Sequence, residues 1–279
     1  MAKITFHGGA GTVTGANYLF ETDSCKIVVD CGLNQGFKYA EALNYQPFKY
    51  NPAEVKYVFI THSHIDHIGR LPKLYKDGFR GTVYMSASAA DLAAVALPDN
   101  MNQIQQEAHA DGHEPLFGPE DLAGIMSLVK GVHYDTPIDL GTGITATLHD
   151  AGHILGSSII EIDWQEKGET KRLFFSGDLG NPPTPLLRPT EFVHDADYVL
   201  VESAYGDRVH EQREERKQRL KDVVTSTIKK NGTLMIPSFA TERTQEILFE
   251  LEELIKTGAI PRIPMYVDSP LAIKLTAVY

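Results

Sequence analysis

The run Thr61-His62-Ser63-His64-Ile65-Asp66-His67 constrains this chain more than any other stretch. Three histidines and an aspartate fall within six residues, and all are good ligands for a divalent ion. The preceding run, Tyr57-Val58-Phe59-Ile60, is apolar, aromatic and β-branched, which predicts a buried strand. From Ile68 to Gly78 the residues Ile68, Leu71, Leu74 and Tyr75 recur on one helical stripe. Pro72 fits there only in a first turn, and Gly78 suits a C-terminal cap. The ligands therefore sit on a strand-to-helix turn, where a rigid sheet can aim them. His62 and His64, one residue apart in extended backbone, fall on the same side and can grip one ion. Asp66 and His67 follow the bend and suit a second ion close by. Imidazole and carboxylate without thiolate favour Zn²⁺ or a similar ion over Mg²⁺ or an Fe–S cluster. A lone histidine in a polar turn is ordinarily only solvated; His-x-His-x-Asp-His behind a buried strand predicts a metal site.

The 279 residues suffice for one large domain or one and a half ordinary ones, and 42% hydrophobic content allows a sizeable core. Two cysteines, Cys25 and Cys31, are no disulfide framework; they read as small apolar fillers in a protein of the reducing cytoplasm. No apolar run approaches the ~20 residues of a membrane span, so no membrane partner is expected. Lys3-Ile4-Thr5-Phe6 goes directly into strand-like sequence without a signal peptide. The charge of −11, from 26 basic and 37 acidic residues, does not advertise a polyanionic substrate. Two divalent ions would, however, return about +4 where a phosphate would sit.

Along the chain, short apolar strands repeatedly finish in an acid or a histidine: Asp30 after Lys26–Val29, His62 after Tyr57–Ile60, Asp178 after Leu173–Phe175, Glu202 after Tyr198–Val201. Sites gather at strand ends in sheets whose faces are covered by helices, so these residues are expected to converge. His153, in the Gly-flanked loop between strands at 144–148 and 158–162, can join them. Residues 3–6 and 17–20 read as strands flanking Gly8-Gly9-Ala10-Gly11-Thr12-Val13-Thr14-Gly15. Thr14 and the extended sequence that follows exclude a dinucleotide loop and leave a tight hairpin. Residues 33–55 read as a long loop or short helix, 82–85 as a strand, 86–97 and 119–130 as helices. His109 and His113 read as a surface face. His7, His133, His149, His194 and His210 have no spacing that implicates them. After Tyr205-Gly206-Asp207 the texture becomes highly charged. Helical spacing at 208–230 and 241–257 alternates with strand-like runs at 234–237 and 264–267, placing a domain boundary near 206.

Taken together these residues resemble the metallo-β-lactamase superfamily, and more specifically its β-CASP branch of RNA-processing nucleases. Asp30 fits the first motif, His62-Ser63-His64-Ile65-Asp66-His67 the second, His153 the third, and Asp178 in Phe175-Ser176-Gly177-Asp178-Leu179-Gly180 the fourth. Glu202 in Val201-Glu202-Ser203-Ala204-Tyr205-Gly206-Asp207 resembles the acidic motif that opens the β-CASP part. Pro237-Ser238-Phe239-Ala240-Thr241-Glu242-Arg243-Thr244-Gln245-Glu246 and Val267-Asp268-Ser269-Pro270-Leu271-Ala272 also look like that branch. The resemblance implies an α/β fold: an αββα sandwich over 1–205, then the beginning of a β-CASP α/β domain over 206–279. Branch members continue well past this length with two further histidine motifs that do not occur here, so the chain is expected to be part of a longer sequence.

By the same resemblance, His62, His64 and His153 hold one zinc, Asp66 and His67 hold a second, and Asp178 bridges them, with Asp66, Asp178 and Glu202 in the catalytic machinery. Asp30 and Glu202 are expected to orient histidine ring N–H groups, and Arg243 to grip a phosphate. The implied activity is hydrolysis of single-stranded RNA, with homodimerisation compatible with it. Alternatives are a small-molecule thioesterase or lactonase, a DNA-directed nuclease, and a non-catalytic RNA-binding paralogue. Residues 206–279 argue against the first, and the filled ligand positions argue against the last.

Overall fold

The β-branched and aromatic runs form two sheets packed face to face in a computed structural model that describes residues 1–36, 38–110, 112–209 and 215–279. The first half contains β1 (Lys3–Gly8), β2 (Asn17–Glu21), β3 (Lys26–Val29), α1 (Lys38–Ala42), β4 (Tyr57–Phe59), α2 (Ile65–Ile68), α3 (Leu71–Lys76), β5 (Thr82–Ser86), α4 (Ala87–Ala110), α5 (Pro119–Met126) and β6 (Val129–Val132). Its six strands lie in sequence order, antiparallel from β1 to β3 and parallel from β3 to β6. The second sheet is built from β7 (Ile138–Asp139), β8 (Ile144–Asp150), β9 (Ser158–Glu166), β10 (Glu169–Phe175) and β11 (Tyr198–Leu200), in the order β11-β10-β9-β8-β7. Helices α6 (Arg216–Lys229), α7 (Arg243–Lys256) and α8 (Pro270–Thr276) follow.

Alternation along the strands decides what each face buries. In β3, Ile27 and Val29 point into the space between the sheets, while Val28 points outward. In the second sheet, Ile160, Ile162, Trp164, Leu173 and Phe175 fill the same inner space, and Ile159 and Phe174 face the other way. Phe20 and Trp164 meet edge to face at 5.2 Å across the two sheets, and Tyr18 reaches Phe175 at 5.9 Å. The outer face of the first sheet is covered by α3, α4 and α5 through Leu71, Leu74, Ala89, Ala93, Leu122 and Ile125. β3 and β4 are thus buried on both faces, which explains their unbroken apolar sequence. The outer face of the second sheet packs against Leu179 and Val193 of the segment between β10 and β11. Val224, Leu251, Leu254 and Ile260 form a separate small core joining α6 and α7.

Several elements differ from the sequence expectation. The helix expected over 68–78 is two short ones, α2 and α3, broken at Gly69 and Arg70, with Pro72 in the first turn of α3. The helix expected to end near 97 continues to Ala110 through Pro98. The helix expected over 119–130 stops at Met126, because Val129–Val132 pairs in parallel with β5. The runs 234–237 and 264–267 have no ladder partner among the described residues. The charged residues 210–214, His210 among them, lie outside the described residues. Among those described, no helix is long and apolar enough to cross a membrane.

Candidate metal centre

β3 and β4 are parallel, and β8 and β10 are parallel to one another because each runs antiparallel to β9. Their C-terminal ends, with that of β11, come to one edge of the sandwich, and the candidate metal ligands lie there with Asp30 and Glu202. Asp30 follows β3, His62 to His67 follow β4, His153 lies in the β8–β9 loop, and Asp178 and Glu202 follow β10 and β11. The two sheets are tied at this edge by the Ser158 N–H donating to the Thr61 carbonyl at 2.7 Å. Gly32 lets α2 approach: a Cβ there would sit 1.4 Å from the Asp66 carbonyl oxygen, so no other residue fits.

The donors converge. His62 Nε2 lies 3.0 Å from His64 Nδ1, which lies 3.3 Å from His153 Nε2. Asp178 Oδ2 is 3.8 Å from His62 Nε2 and 3.7 Å from His153 Nε2. Four donors around an ion at about 2.0–2.1 Å would be separated by about 3.3 Å, so the spacing fits a divalent ion. The other oxygen, Asp178 Oδ1, is 3.4 Å from His67 Nε2, and Asp66 Oδ2 is 3.8 Å from the same nitrogen. A second group of donors thus adjoins the first, with Asp178 between them.

The hydrogen bonds behind the donors fix their tautomers. The Asp30 carboxylate, fully buried, accepts from Thr61 N–H, from Thr61 Oγ1 and from His67 Nδ1, each at 2.8 Å. His67 Nε2 is left facing Asp66 and Asp178. His62 Nδ1 donates to Thr61 Oγ1 at 3.1 Å, leaving its Nε2 lone pair toward His64. His64 Nδ1, 3.0 Å away, either donates a proton to that lone pair or, deprotonated, shares a cation with it. Burial, then the neighbouring histidines, holds His62 well below the usual histidine range and pushes His64 down to about 3; burial also lowers His153, against an opposing pull from Asp178. All three are neutral near pH 7, the form that binds metal. At His67, burial alone would lower the pKa, but Asp30 and Asp178 outweigh it and raise it well above the ordinary value. Positive charge is favoured at that pole.

Glu202 makes different contacts from those expected of it. Its carboxylate accepts the Leu179 N–H at 2.7 Å and the Ala204 N–H at 3.2 Å, so it fastens the backbone beside Asp178 rather than a histidine ring. Arg243, at the start of α7, pairs with Glu246 at 2.9 Å and does not join the cluster among the described contacts. His109 and His113 do not share one helix: α4 ends before His113, whose ring lies tilted against Tyr45 at 4.8 Å. Cys25 and Cys31 are buried and unbridged.

Two residues at the site escaped the sequence reading. Thr61 relays between Asp30 and both histidine rings, and Ser157 accepts the His153 N–H at 2.9 Å and the Ile154 N–H at 3.3 Å. The available signal was a small hydroxyl residue beside each ligand segment. His149, which no spacing implicated, sits among Asp135, Glu161 and Glu191 on the second sheet.

The chain matches the family profile of the metallo-beta-lactamase superfamily over residues 10–206 and that of the Beta-Casp domain over residues 244–279. Ribonuclease TTHA0252 of Thermus thermophilus is 35% identical over 277 residues, which cover 99% of this chain and 60% of that protein. Transcription termination factor FttA of Pyrococcus horikoshii is 33% identical over 277 residues, 95% of this chain and 42% of that protein. The chain therefore spans about half the length of these relatives. Among solved structures, BJP-1, a subclass B3 metallo-beta-lactamase of Bradyrhizobium japonicum, aligns with a TM-score of 0.40 at 20% identity, over 62% of this chain and 58% of its own.

Proposed function

This chain belongs to the metallo-β-lactamase superfamily and carries a β-CASP segment, and from that premise we propose that it is a zinc-dependent ribonuclease hydrolysing phosphodiester bonds of single-stranded RNA. The observation that carries this reading is the meeting of His62 Nε2, His64 Nδ1, His153 Nε2 and Asp178 Oδ2 in one cluster. RNA as the substrate is supported by two relatives named as a ribonuclease and a transcription termination factor. The division between the metal-bearing unit and the β-CASP segment is placed near residue 206.

His62, His64 and His153 would hold one Zn²⁺ and Asp66 and His67 a second, with one oxygen of Asp178 turned to each group. Imidazole and carboxylate without thiolate suit zinc. Such ions, when bound, supply charge for the phosphoryl oxygens and lower the pKa of water to ~7. The chain's own part is to hold the donors. Asp30 keeps His67 Nε2 aimed inward, Thr61 does the same for His62, and Glu202 secures the backbone next to Asp178. Asp66, beside His67 and partly exposed, would take up a proton released from the attacking water on the carboxylate oxygen turned away from the ion.

The test compares end-labelled single-stranded RNA, double-stranded RNA and single-stranded DNA, with and without chelator and added Zn²⁺. Single-stranded RNA should be cut, cutting should stop with chelator and return with Zn²⁺, and His64→Ala should abolish it. Cleavage that survives both chelation and His64→Ala would sink the reading. Turnover of a thioester or a β-lactam, with RNA untouched, would assign the site to small-molecule hydrolysis instead.

A further inference from the structure

The β8–β9 loop carries one ligand, His153, and is gripped from two sides. From within, Ser157 Oγ takes the His153 and Ile154 N–H groups. From without, the Leu155 N–H lies 3.4 Å from the Tyr279 hydroxyl, which donates to Glu242 Oε2 at 2.5 Å. Tyr279 stands just beyond α8, 124 residues along the chain from Leu155, and Glu242 stands just before α7.

The two outer residues are themselves held in place. Gln245 on α7 donates from Nε2 both to the Ala240 carbonyl at 3.0 Å and to Thr276 Oγ1 on α8 at 2.9 Å, which ties α7 to α8. α8 in turn packs against α4 of the sandwich, where Lys274 Nζ reaches Asp99 at 3.7 Å. Glu242 is 8% exposed, and its backbone has a positive φ of 63, a strained conformation for a non-glycine residue. Its second oxygen, Oε1, is buried without a hydrogen-bond partner among the described residues. Strain and an unpaired carboxylate oxygen persist where the surroundings over-determine a position. Here both occur at the residue that ends the chain of contacts to the His153 loop.

We propose that Tyr279 and Glu242 are positioning residues for His153, through which the segment beyond residue 206 sets the geometry of the metal centre. The proposal rests on the reading of His62, His64, His153 and Asp178 as metal ligands, and it goes beyond that reading in assigning two residues outside the cluster a share in metal affinity. The mechanism is mechanical: with the Tyr279 hydroxyl gone, the Leu155 N–H, two residues from His153, loses that outer partner, and the side-chain grip on the loop backbone at His153 is left to Ser157 Oγ.

The test measures Zn²⁺ affinity by competition with a chromophoric chelator, and the visible absorption of the Co²⁺-loaded protein, in the wild-type protein and in three variants. Tyr279→Phe and Glu242→Ala should each weaken the first Zn²⁺ by about tenfold, as loss of a group behind a ligand commonly does. Both should alter the Co²⁺ bands, and should lower kcat on RNA with KM unchanged. Glu242→Gln, which still offers the tyrosine an oxygen, should restore affinity to near wild type. Wild-type affinity and an unaltered Co²⁺ spectrum in Tyr279→Phe overturn the proposal, even if that variant melts earlier. If Tyr279→Phe does not fold, the contrast between Glu242→Ala and Glu242→Gln decides, and equal affinities in the two overturn it. A wild-type protein that binds Zn²⁺ but cuts no RNA refutes the nuclease reading and leaves the metal readouts standing. One that binds no Zn²⁺ refutes both.

Discussion

Asp30 and His67 are 37 residues apart in sequence and 2.8 Å apart in space, carboxylate oxygen to ring nitrogen, both buried. The bond decides which imidazole nitrogen faces the cluster. It is made possible by a left-handed backbone at Asp30, φ 59, which turns the chain sharply at the end of β3. Asparagine tolerates that conformation better than most residues. Asp30→Asn should therefore fold, yet it replaces one acceptor oxygen by an NH₂ and removes the charge. Metal affinity at the His67 pole should fall by about 10–100-fold, with the His62–His64–His153 pole retained. Titration of metal content against free Zn²⁺ checks this; equal loss at both poles would contradict it.

Ser157→Ala removes one hydroxyl and strands two N–H groups, those of His153 and Ile154, in a loop where Ser157 is fully buried. Leaving buried donors unpaired costs about 1–3 kcal/mol. Urea unfolding should show a loss of that size, and the affinity of the first ion should fall with it. A neutral substitution would mean that water replaces the hydroxyl.

What could be read from sequence follows a physical line. The cluster of donors at 62–67 was legible because they are local in sequence and the strand before them announces itself. Asp178 and His153 were legible because strand ends in such sheets share an edge. The contacts that orient them were not, since Asp30 to His67, Ser157 to His153 and Glu202 to Leu179 are decided by packing at a distance. The same holds for the elements. Val129–Val132 is short and apolar enough to extend a helix on paper, and only the parallel neighbour β5 makes it a strand. Pro98 reads as a helix end, but it and Ala94, whose carbonyl loses its partner, are both exposed, so water can complete that bond and α4 runs on.

Phe20 is fully buried between the sheets, in edge-to-face contact with Trp164, the single tryptophan. Phe20→Ala should cost about 3–5 kcal/mol, since the cavity is walled by two sheets that cannot collapse freely. The site lies at the strand ends, away from this ring, so Zn²⁺ affinity should stay unchanged. Denaturant titration followed by the Trp164 emission measures the first, chelator competition the second. A change in affinity would show that packing between the sheets tunes the site.

His149 supplies the pH dependence. Its Nε2 faces Glu161 at 3.0 Å, and its Nδ1 faces Asp135 at 2.9 Å and Glu191 at 3.3 Å. Hydrogen bonding to Glu161, opposed by burial and reinforced by Asp135, pushes its pKa up to about 9. Folding therefore favours the imidazolium over its unfolded value of about 6.5. The stability from this cluster is fully present below about pH 6.5, declines as pH rises, and is gone once pH passes about 9. His149→Gln keeps the size but cannot carry charge. The variant should melt below wild type at pH 6, and the two melting curves should converge by about pH 9 to 10. A gap that widens with rising pH would reverse the sign and show that His149 is held neutral in the folded protein.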